Sequence, residues 1–166
     1  MEEFFDIVDE HDKVIGTAPR SHCHGDPSLI HRTAHVVVLH PDGQRILLQK
    51  RSITKDIQPG KWDTAVGGHL AHGETYEDGA RREMSEELGL PRDLPLKFLF
   101  RSEIRNEIES ENVGVFLLVS EGPFAFQQEE IDEVRFFPRE ELATHAADFT
   151  PNLQRELAEL HVRGIF

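Results

Sequence analysis

The amino-acid sequence predicts a mixed α/β or α+β sandwich, with β-strands on either side of a helix that carries acidic side chains. Two hairpins are predicted because apolar runs flank the turn-forming segments Asp9-Glu10-His11-Asp12 and Pro41-Asp42-Gly43. The predicted strands are residues 4 to 8, 14 to 18, 33 to 39, 44 to 49, 66 to 70, 98 to 104, 113 to 119 and 134 to 137, and the predicted helices are residues 76 to 88, 140 to 144 and 153 to 161. Strands that both precede and follow the helix at 76 to 88 place it against a mixed sheet.

Length, composition and charge predict a single domain that spans residues 1–166. A chain of 166 residues can bury roughly 70% of its unfolded surface without disulfide bonds. The single cysteine, Cys23, allows no intrachain disulfide and favours a reducing cytoplasm. The sequence has neither a basic, apolar leader nor an apolar run long enough to cross a membrane. The net charge of −13 opposes binding to nucleic acid and to anionic membranes, so we expect a soluble, cytoplasmic protein.

The helix predicted at residues 76 to 88 carries signals at both ends. Thr75 followed by Asp78 is a helix-opening cap, and Gly89 with Pro91 just beyond it is a stop signal. With the ends fixed in this way, the helix would pack through an apolar stripe formed by Ala80, Met84 and Leu88.

Three carboxylates, those of Glu83, Glu86 and Glu87, share one face of this helix. Like charges at these spacings repel each other, and a hard divalent cation would turn that repulsion into attraction. Mg²⁺ prefers oxygen ligands and typically binds one or two carboxylates together with substrate phosphates. The pair Gly67-Gly68 lets the backbone approach closely, so a carbonyl there could join the carboxylates. We therefore predict a Mg²⁺ site at which Mn²⁺ can substitute.

The longer pattern around these residues resembles the signature of the Nudix hydrolases, with no departure at any defined position. The matching residues are Gly68, Glu74, Arg82, Glu83, Glu86, Glu87, Gly89 and Leu90. The resemblance implies an α/β/α sandwich, that is, an α+β fold with a mixed sheet between helices. It also implies metal-dependent hydrolysis of a nucleoside diphosphate that is linked to another moiety.

The same resemblance assigns roles to individual residues. It implies that Glu83, Glu86 and Glu87 are the metal ligands, helped by the carbonyl of Gly67 or Gly68. Two further catalytic-site residues, Glu74 and Arg82, would orient the loop and the helix. The residue that takes the proton from the attacking water is left open, either a carboxylate of the box or one on a later loop, such as Glu129 or Glu130.

Residues outside this box are similar to isopentenyl-diphosphate isomerase and its hydrolase relatives. The matching segments are Leu29-Ile30-His31-Arg32, Leu47-Leu48-Gln49-Lys50-Arg51-Ser52, Lys55, Pro59-Gly60-Lys61-Trp62 and Gly68-His69. The isomerase has a catalytic cysteine two residues before the histidine that matches His69, and here that position is Gly67. Because protonation of an alkene needs a dedicated acid, we expect a hydrolase and keep isomerisation as the alternative. A third possibility, a domain that senses a ligand without turnover, is disfavoured by the complete box.

The isomerase resemblance also implies a second metal site, built from three histidines and two glutamates. The residues at matching places are His24, His31, His69, Glu109 and Glu111, and His24 and His31 keep a seven-residue spacing. With ten histidines in the chain, the alternative is that some fall at these places by chance.

Basic residues just before the box are candidates for holding a diphosphate group. They are Lys50, Arg51, Lys55 and Lys61, and the alternative for each is an ordinary solubilising charge. The predicted partner is therefore a small-molecule diphosphate substrate. The sequence leaves the oligomeric state open, with a homodimer among the options.

Overall fold

A nine-stranded mixed β-sheet is the framework of residues 2–166, which are the residues that the computed structural model describes. The strands are β1 (Phe4–Val8), β2 (Val14–Pro19), β3 (Ile30–Leu39), β4 (Arg45–Arg51), β5 (Trp62–Thr64), β6 (Val66–His69), β7 (Lys97–Arg105), β8 (Ser110–Val119) and β9 (Ile131–Pro138). The helices are α1 (Arg20–Cys23), α2 (Tyr76–Leu88) and α3 (Pro151–Val162), and two short 3-10 helices cover Arg139–Glu141 and Ala146–Asp148.

The long strand β3 organises the sheet. It pairs in parallel with β8 over its whole length and antiparallel with β1, β4 and β6. Outside this centre, β2 and β7 add to β1 and β8, while β5 and β9 both pair with β4. The sequence of β3, rich in valine towards its end, suits a strand that is covered on both faces.

Two apolar layers cover the two faces of the sheet. On one face, Ala80, Met84 and Leu88 of α2 pack against alternate residues of β3 such as Ala34 and Val36. On the other face, Leu153 and Leu160 of α3 pack in a second core with the intervening residues of β3 and with Trp62 and Phe137. A mixed sheet between helices confirms the predicted α+β sandwich.

The helix α2 begins and ends where the local signals place it. The Thr75 hydroxyl accepts a hydrogen bond from the Asp78 N–H, and the Asp78 carboxylate accepts one from the Thr75 N–H. At the other end, Gly89 has a φ of 66°, a left-handed conformation that costs glycine little. The residues at the two ends of α2 therefore set its bounds independently of tertiary packing.

Three parts of the chain differ from the expectation. Residues 140 to 144 form only the 3-10 helix Arg139–Glu141 and turns, because the segment buries no residue that would stabilise a longer helix. The short elements β5 and α1 were not predicted, since three or four residues carry no readable periodicity. Across residues 2–166, no helix is long and apolar enough to span a membrane.

Candidate metal and diphosphate site

Three of the four glutamates of α2, namely Glu83, Glu86 and Glu87, lie along the edge of the helix next to β6 and the loop that follows it. The side chains of Glu83 and Glu86 are 15% and 46% exposed, so one is largely enclosed and the other reaches solvent. The Glu87 carboxylate turns towards the sheet, where it accepts hydrogen bonds from the Gln49 amide and the Gly67 N–H, both at 3.1 Å. The carboxylates of Glu83, Glu86 and Glu87 thus lie along one edge of a helix that is capped at both ends.

Arg82 organises the carboxylates around it. Its guanidinium makes a two-pronged contact with Glu74 at 2.8 Å for both bonds, and it donates to the His69 carbonyl at 2.9 Å. The same side chain donates to Glu83 at 2.8 Å and to Glu86 at 3.2 Å. Such a fork fixes position as well as charge, so Arg82 and Glu74 hold the loop against the helix.

Gly68 leaves room for one of these carboxylates. A Cβ atom added at this position would collide with the carboxylate of Glu83. The backbone of β6 and the acidic edge of α2 therefore touch only because residue 68 has no side chain. This close approach brings the Gly68 peptide next to Glu83, as a backbone ligand would require.

The charge around Glu87 favours a cation. Its two hydrogen-bond donors are neutral, whereas Glu83 and Glu86 both contact Arg82. Burial, together with repulsion from Glu83, raises the pKa of Glu87 to about 8. Burial also raises the pKa of Glu83, although Arg82 opposes this effect. A divalent cation would stabilise the ionised form of such closely spaced, buried carboxylates. The residues present therefore fit a metal ion.

A polar cavity lies next to Glu87 and Gly67, both of which contribute to its lining. Its lining residues are His35, Gln49, Arg51, Lys55, Asp63, Thr64, Gly67, Glu87 and Glu130. Among the basic residues that the sequence suggested, Arg51 and Lys55 line this cavity. Lys55 forms an ion pair with Glu130, and Arg51 lies 3.6 Å from Asp63. The cavity therefore combines the Glu87 carboxylate with the cationic side chains of Arg51 and Lys55.

The other two basic candidates lie elsewhere. The Lys61 ammonium donates to the carbonyl of Ala147 at 2.7 Å. Lys50 alternates with Gln49 and Arg51 along β4, so its side chain projects from the opposite face of that strand. The structure thus brings Arg51, but neither Lys50 nor Lys61, to the cavity lining.

The second predicted cluster is also assembled. Ligand atoms of His24, His31, His69 and Glu109 all lie within 4.8 Å of one another. Glu111 joins them, because its Oε1 lies 3.7 Å from the Nε2 atoms of both His31 and His69. These five residues come from four separate segments, and β3, β6 and β8 bring three of those segments side by side.

The chemistry of this cluster suits a metal ion. Burial lowers the pKa of His31 and of His69 to about 4, so both rings are neutral near pH 7. Neutral imidazole is the form that binds metals. The buried Nε2 atoms of His24 and His31 have no hydrogen-bond partner among the described residues, and buried polar atoms normally have one. The Glu109 carboxylate lies 3.2 Å from Nε2 of His24 without a hydrogen bond, and a cation between these groups would be bound by both.

With this geometry in view, the comparisons with known proteins decide the family. A family model described as NUDIX domain matches residues 29–160. The chain belongs to the Nudix hydrolase family. Among its Nudix relatives are an uncharacterised hydrolase of Yersinia pestis, 39% identical over 158 residues, and one of Escherichia coli, 37% identical over 160 residues. These matches cover 94% of this chain in both cases, and 84% and 85% of the two relatives.

Solved structures agree with this placement in the Nudix family. The protein DR0079 of Deinococcus radiodurans superimposes with a TM-score of 0.76 at 27% identity, covering 97% of this chain and 98% of that one. A MutT protein of Methanosarcina mazei has a TM-score of 0.68 at 20% identity, covering 84% of this chain and 96% of that one, and supports the fold alone.

Several residues at the Nudix site were not identified from the sequence. His35, Asp63 and Thr64 line the cavity, and Glu156 of α3 contacts two of them. Gln49 could have been recognised, because strand alternation puts it on the same face as Arg51. The contact between His35 and Glu156 spans 121 residues and has no local signal.

Proposed function

We propose that this Nudix hydrolase cleaves a phosphoanhydride bond in a nucleoside diphosphate derivative or a related organic pyrophosphate. The observation that carries the proposal is the set of acidic residues on α2, with Glu87 uncompensated beside a cavity that also holds Arg51. In a complex of a metal ion with a diphosphate, the acidic side chains can bind the cation and the guanidinium can bind the phosphate oxygens.

The metal ligands in this proposal are Glu83, Glu86, Glu87 and the carbonyl of Gly68, with Mg²⁺ as the ion and Mn²⁺ as a substitute. When bound, such an ion lowers the pKa of water and offsets negative charge on phosphate oxygens. Arg82 keeps Glu83 and Glu86 in place through its hydrogen bonds, and Glu74 keeps Arg82 in place.

The remaining residues of the cavity act on the substrate. Arg51 would contact the diphosphate, since its side chain lines the cavity; its Nε donates to the Ile57 carbonyl at 3.1 Å, and its Nη1 atom lies 3.6 Å from Asp63 without a hydrogen bond to it. Of the two loop carboxylates considered as the base, Glu130 lines the cavity and Glu129 does not. Glu130 forms an ion pair with Lys55, which would hold its carboxylate at the cavity wall.

Hydrolysis is better supported than isomerisation of isopentenyl diphosphate. The position of the isomerase cysteine is taken by Gly67, which offers no acid to the cavity. The only thiol in the sequence, Cys23, is fully buried in a separate apolar cluster with Phe5 and Ile7. Burial raises the pKa of the Cys23 thiol further, so this thiol is poorly placed to act as an acid.

We further propose that His24, His31, His69, Glu109 and Glu111 hold a second divalent cation. The support is the convergence of their ligand atoms, including Nε2 of His24 at 3.2 Å from Glu109, and the buried nitrogens of His31, which form no hydrogen bond with any described residue. His69 follows the metal-side residue Gly68 directly, and the His69 carbonyl accepts from Arg82, so an ion there would stiffen the loop that precedes α2.

A substrate panel with product analysis tests the proposed function. Purified protein with millimolar Mg²⁺ is incubated with nucleotide sugars, dinucleotides, nucleoside di- and triphosphates and prenyl diphosphates, and the products are identified by mass spectrometry. Glu86→Gln should lower turnover about 100-fold or more. Substitution of a residue that only supports a metal ligand already lowers metal affinity or activity about 10- to 100-fold, and Glu86 is a proposed ligand. The control is Glu140→Gln, at an exposed position, which should match wild type.

The outcomes separate the three candidate functions. Phosphate-containing products that disappear in Glu86→Gln support hydrolysis. Double-bond migration in isopentenyl diphosphate would support isomerisation instead. Saturable ligand binding without any product would favour a sensing domain, and equal rates in Glu86→Gln and Glu140→Gln would remove α2 from the chemistry.

A further inference from the structure

The cavity beside Glu87 contains a histidine that the metal site does not use. His35 lies on β3, directly opposite Gly67 of β6, and its ring lines the cavity. The Nδ1 atom is 2.7 Å from Oε2 of Glu156, which belongs to α3. No described residue forms a hydrogen bond with Nε2, so the nitrogen at the cavity side of the ring remains available to a ligand.

Glu156 is a buried carboxylate with a small set of partners. It is 9% exposed and lies on the face of α3 that packs against the sheet. Besides His35, it accepts a hydrogen bond from the Thr64 hydroxyl at 2.5 Å. Burial of an ionised carboxylate is costly unless a positive group pairs with it, and His35 is the group in hydrogen-bond contact that can become positive. The pair therefore stabilises the imidazolium form of His35.

The contact with Glu156 sets the orientation of the two ring nitrogens of His35. Because the Glu156 carboxylate accepts from Nδ1–H, the Nε2 atom projects away from α3 and towards the cavity. Burial by itself would lower the pKa of His35, but the Glu156 carboxylate outweighs this and raises the pKa to about 9. Near pH 7 both nitrogens then carry a proton, and Nε2–H is a charged donor.

Gly67 keeps this donor accessible. A Cβ atom at Gly67 would lie 3.1 Å from Cδ2 and 3.3 Å from Nε2 of His35, tighter than an ordinary contact. The missing side chain thus leaves space in front of Nε2. The same residue donates its N–H to Glu87 on the metal side, so His35 and Glu87 approach one residue from two directions.

We propose that His35 is a phosphate-binding residue of the substrate site, with Glu156 as the positioning residue that holds its Nε2–H towards a diphosphate oxygen. The inference rests on the proposed function, since it assumes a substrate that carries a diphosphate. His35 would contact the side of the diphosphate that faces away from the α2 carboxylates, next to Arg51. Of the cations in the cavity lining, Lys55 pairs with Glu130, whereas Arg51 lies 3.6 Å from Asp63 and His35 contacts Glu156 through Nδ1 alone, so the Nε2 side of His35 stays open to a phosphate.

The test measures binding rather than turnover, so that it is independent of the substrate. Inorganic pyrophosphate with saturating Mg²⁺ is titrated into the full-length protein by calorimetry, and Mn²⁺ binding is measured separately. His35→Gln should weaken pyrophosphate binding about 10- to 100-fold, the range expected for loss of a charge-assisted hydrogen bond. Mn²⁺ affinity should change much less than pyrophosphate affinity, because His35 is not among the proposed metal ligands and its charge is the smallest of the effects on the pKa of Glu87.

Two further variants complete the experiment. Glu156→Gln should also weaken pyrophosphate binding, because it keeps the shape of the residue but removes the charge that stabilises the imidazolium. His161→Gln, at an exposed position of α3, is the matched control and should bind like wild type. If His35→Gln does not fold, Glu156→Gln carries the test alone.

The possible results point in distinct directions. Pyrophosphate affinity equal to wild type in His35→Gln, with a lower unfolding temperature, would overturn the proposal and leave a purely structural ion pair. Failure of the wild-type protein to bind pyrophosphate would overturn it as well. Weaker binding in both variants alongside a wild-type protein that turns over no member of the substrate panel would support the binding role while rejecting the proposed hydrolysis.

Discussion

The raised pKa of Glu87 predicts a steep pH dependence of metal binding. A cation at this carboxylate must displace the proton, so its apparent affinity falls as the protonated fraction rises. With a pKa of about 8, protonation weakens binding roughly 100-fold at about pH 6 but only about 1.3-fold at about pH 8.5. The expected gain in affinity between these two conditions is about 80-fold from Glu87 alone.

The assay is Mn²⁺ binding followed by electron paramagnetic resonance in a His24→Gln background, which weakens the second cluster. Glu87→Gln in that background should reduce the pH effect to a few-fold, because the titrating group is gone. Glu140→Gln in the same background should leave the 80-fold effect unchanged, since it removes one exposed charge far from α2 in the sequence. An affinity that varies less than about threefold in the parent, or equally in parent and Glu87→Gln, would refute the reasoning.

The raised pKa of Glu87 also makes the stability of the metal-free protein depend on pH. A carboxyl whose folded pKa lies above its unfolded value binds the proton more tightly in the native state, so it stabilises the metal-free protein at low pH. That contribution is complete below about pH 4.3 and is lost as the pH rises through about 8. Saturating Mg²⁺ should therefore raise the unfolding temperature more at about pH 8.5 than at about pH 6.

Three further predictions concern packing and local structure. Gly68→Ala should lower turnover about 10- to 100-fold in steady-state kinetics, because its methyl group displaces the Glu83 carboxylate, whereas a fully active variant would contradict the close approach. Met84→Ala should cost about 2–5 kcal/mol in urea unfolding, since Met84 is fully buried between α2 and the sheet. Thr75→Ala should cost about 1 kcal/mol in the same assay through loss of the capping bond to Asp78, and a cost near zero would show that packing alone sets the start of α2.

Local signals determined how well each element could be predicted. The bounds of α2 match the prediction at both ends, because Thr75, Asp78 and Gly89 act within one turn of the residues they terminate. The Asp-Gly turn likewise placed the β3–β4 hairpin, although β3 begins at Ile30, before the predicted start. By contrast, β5 forms because β4 offers it an edge, which is information that three residues do not contain.

The residues of the candidate site likewise differ in whether local sequence signals could predict them. The α2 carboxylates and their supports were predictable because one helix and one loop present most of them. The choice between Lys50 and Arg51 depended on which face of β4 meets the cavity, and this requires the pairing of β4 with its neighbours. His35 and Glu156 needed the position of α3 on the sheet, and no local pattern in the sequence determines that.

The two glycines of β6 lie between the carboxylates of α2 and the pair formed by His35 and Glu156. Consecutive residues of a strand face opposite sides of the sheet, and each of these glycines opens space on its own side. Gly68, paired with Ala34, faces α2 and the Glu83 carboxylate, whereas Gly67, paired with His35, faces the imidazole that Glu156 holds. At these two residues β6 carries no side chain on either face of the sheet. A side chain at residue 67 would crowd the His35 ring, so the absence of one leaves the space in front of Nε2 that the proposed phosphate contact requires.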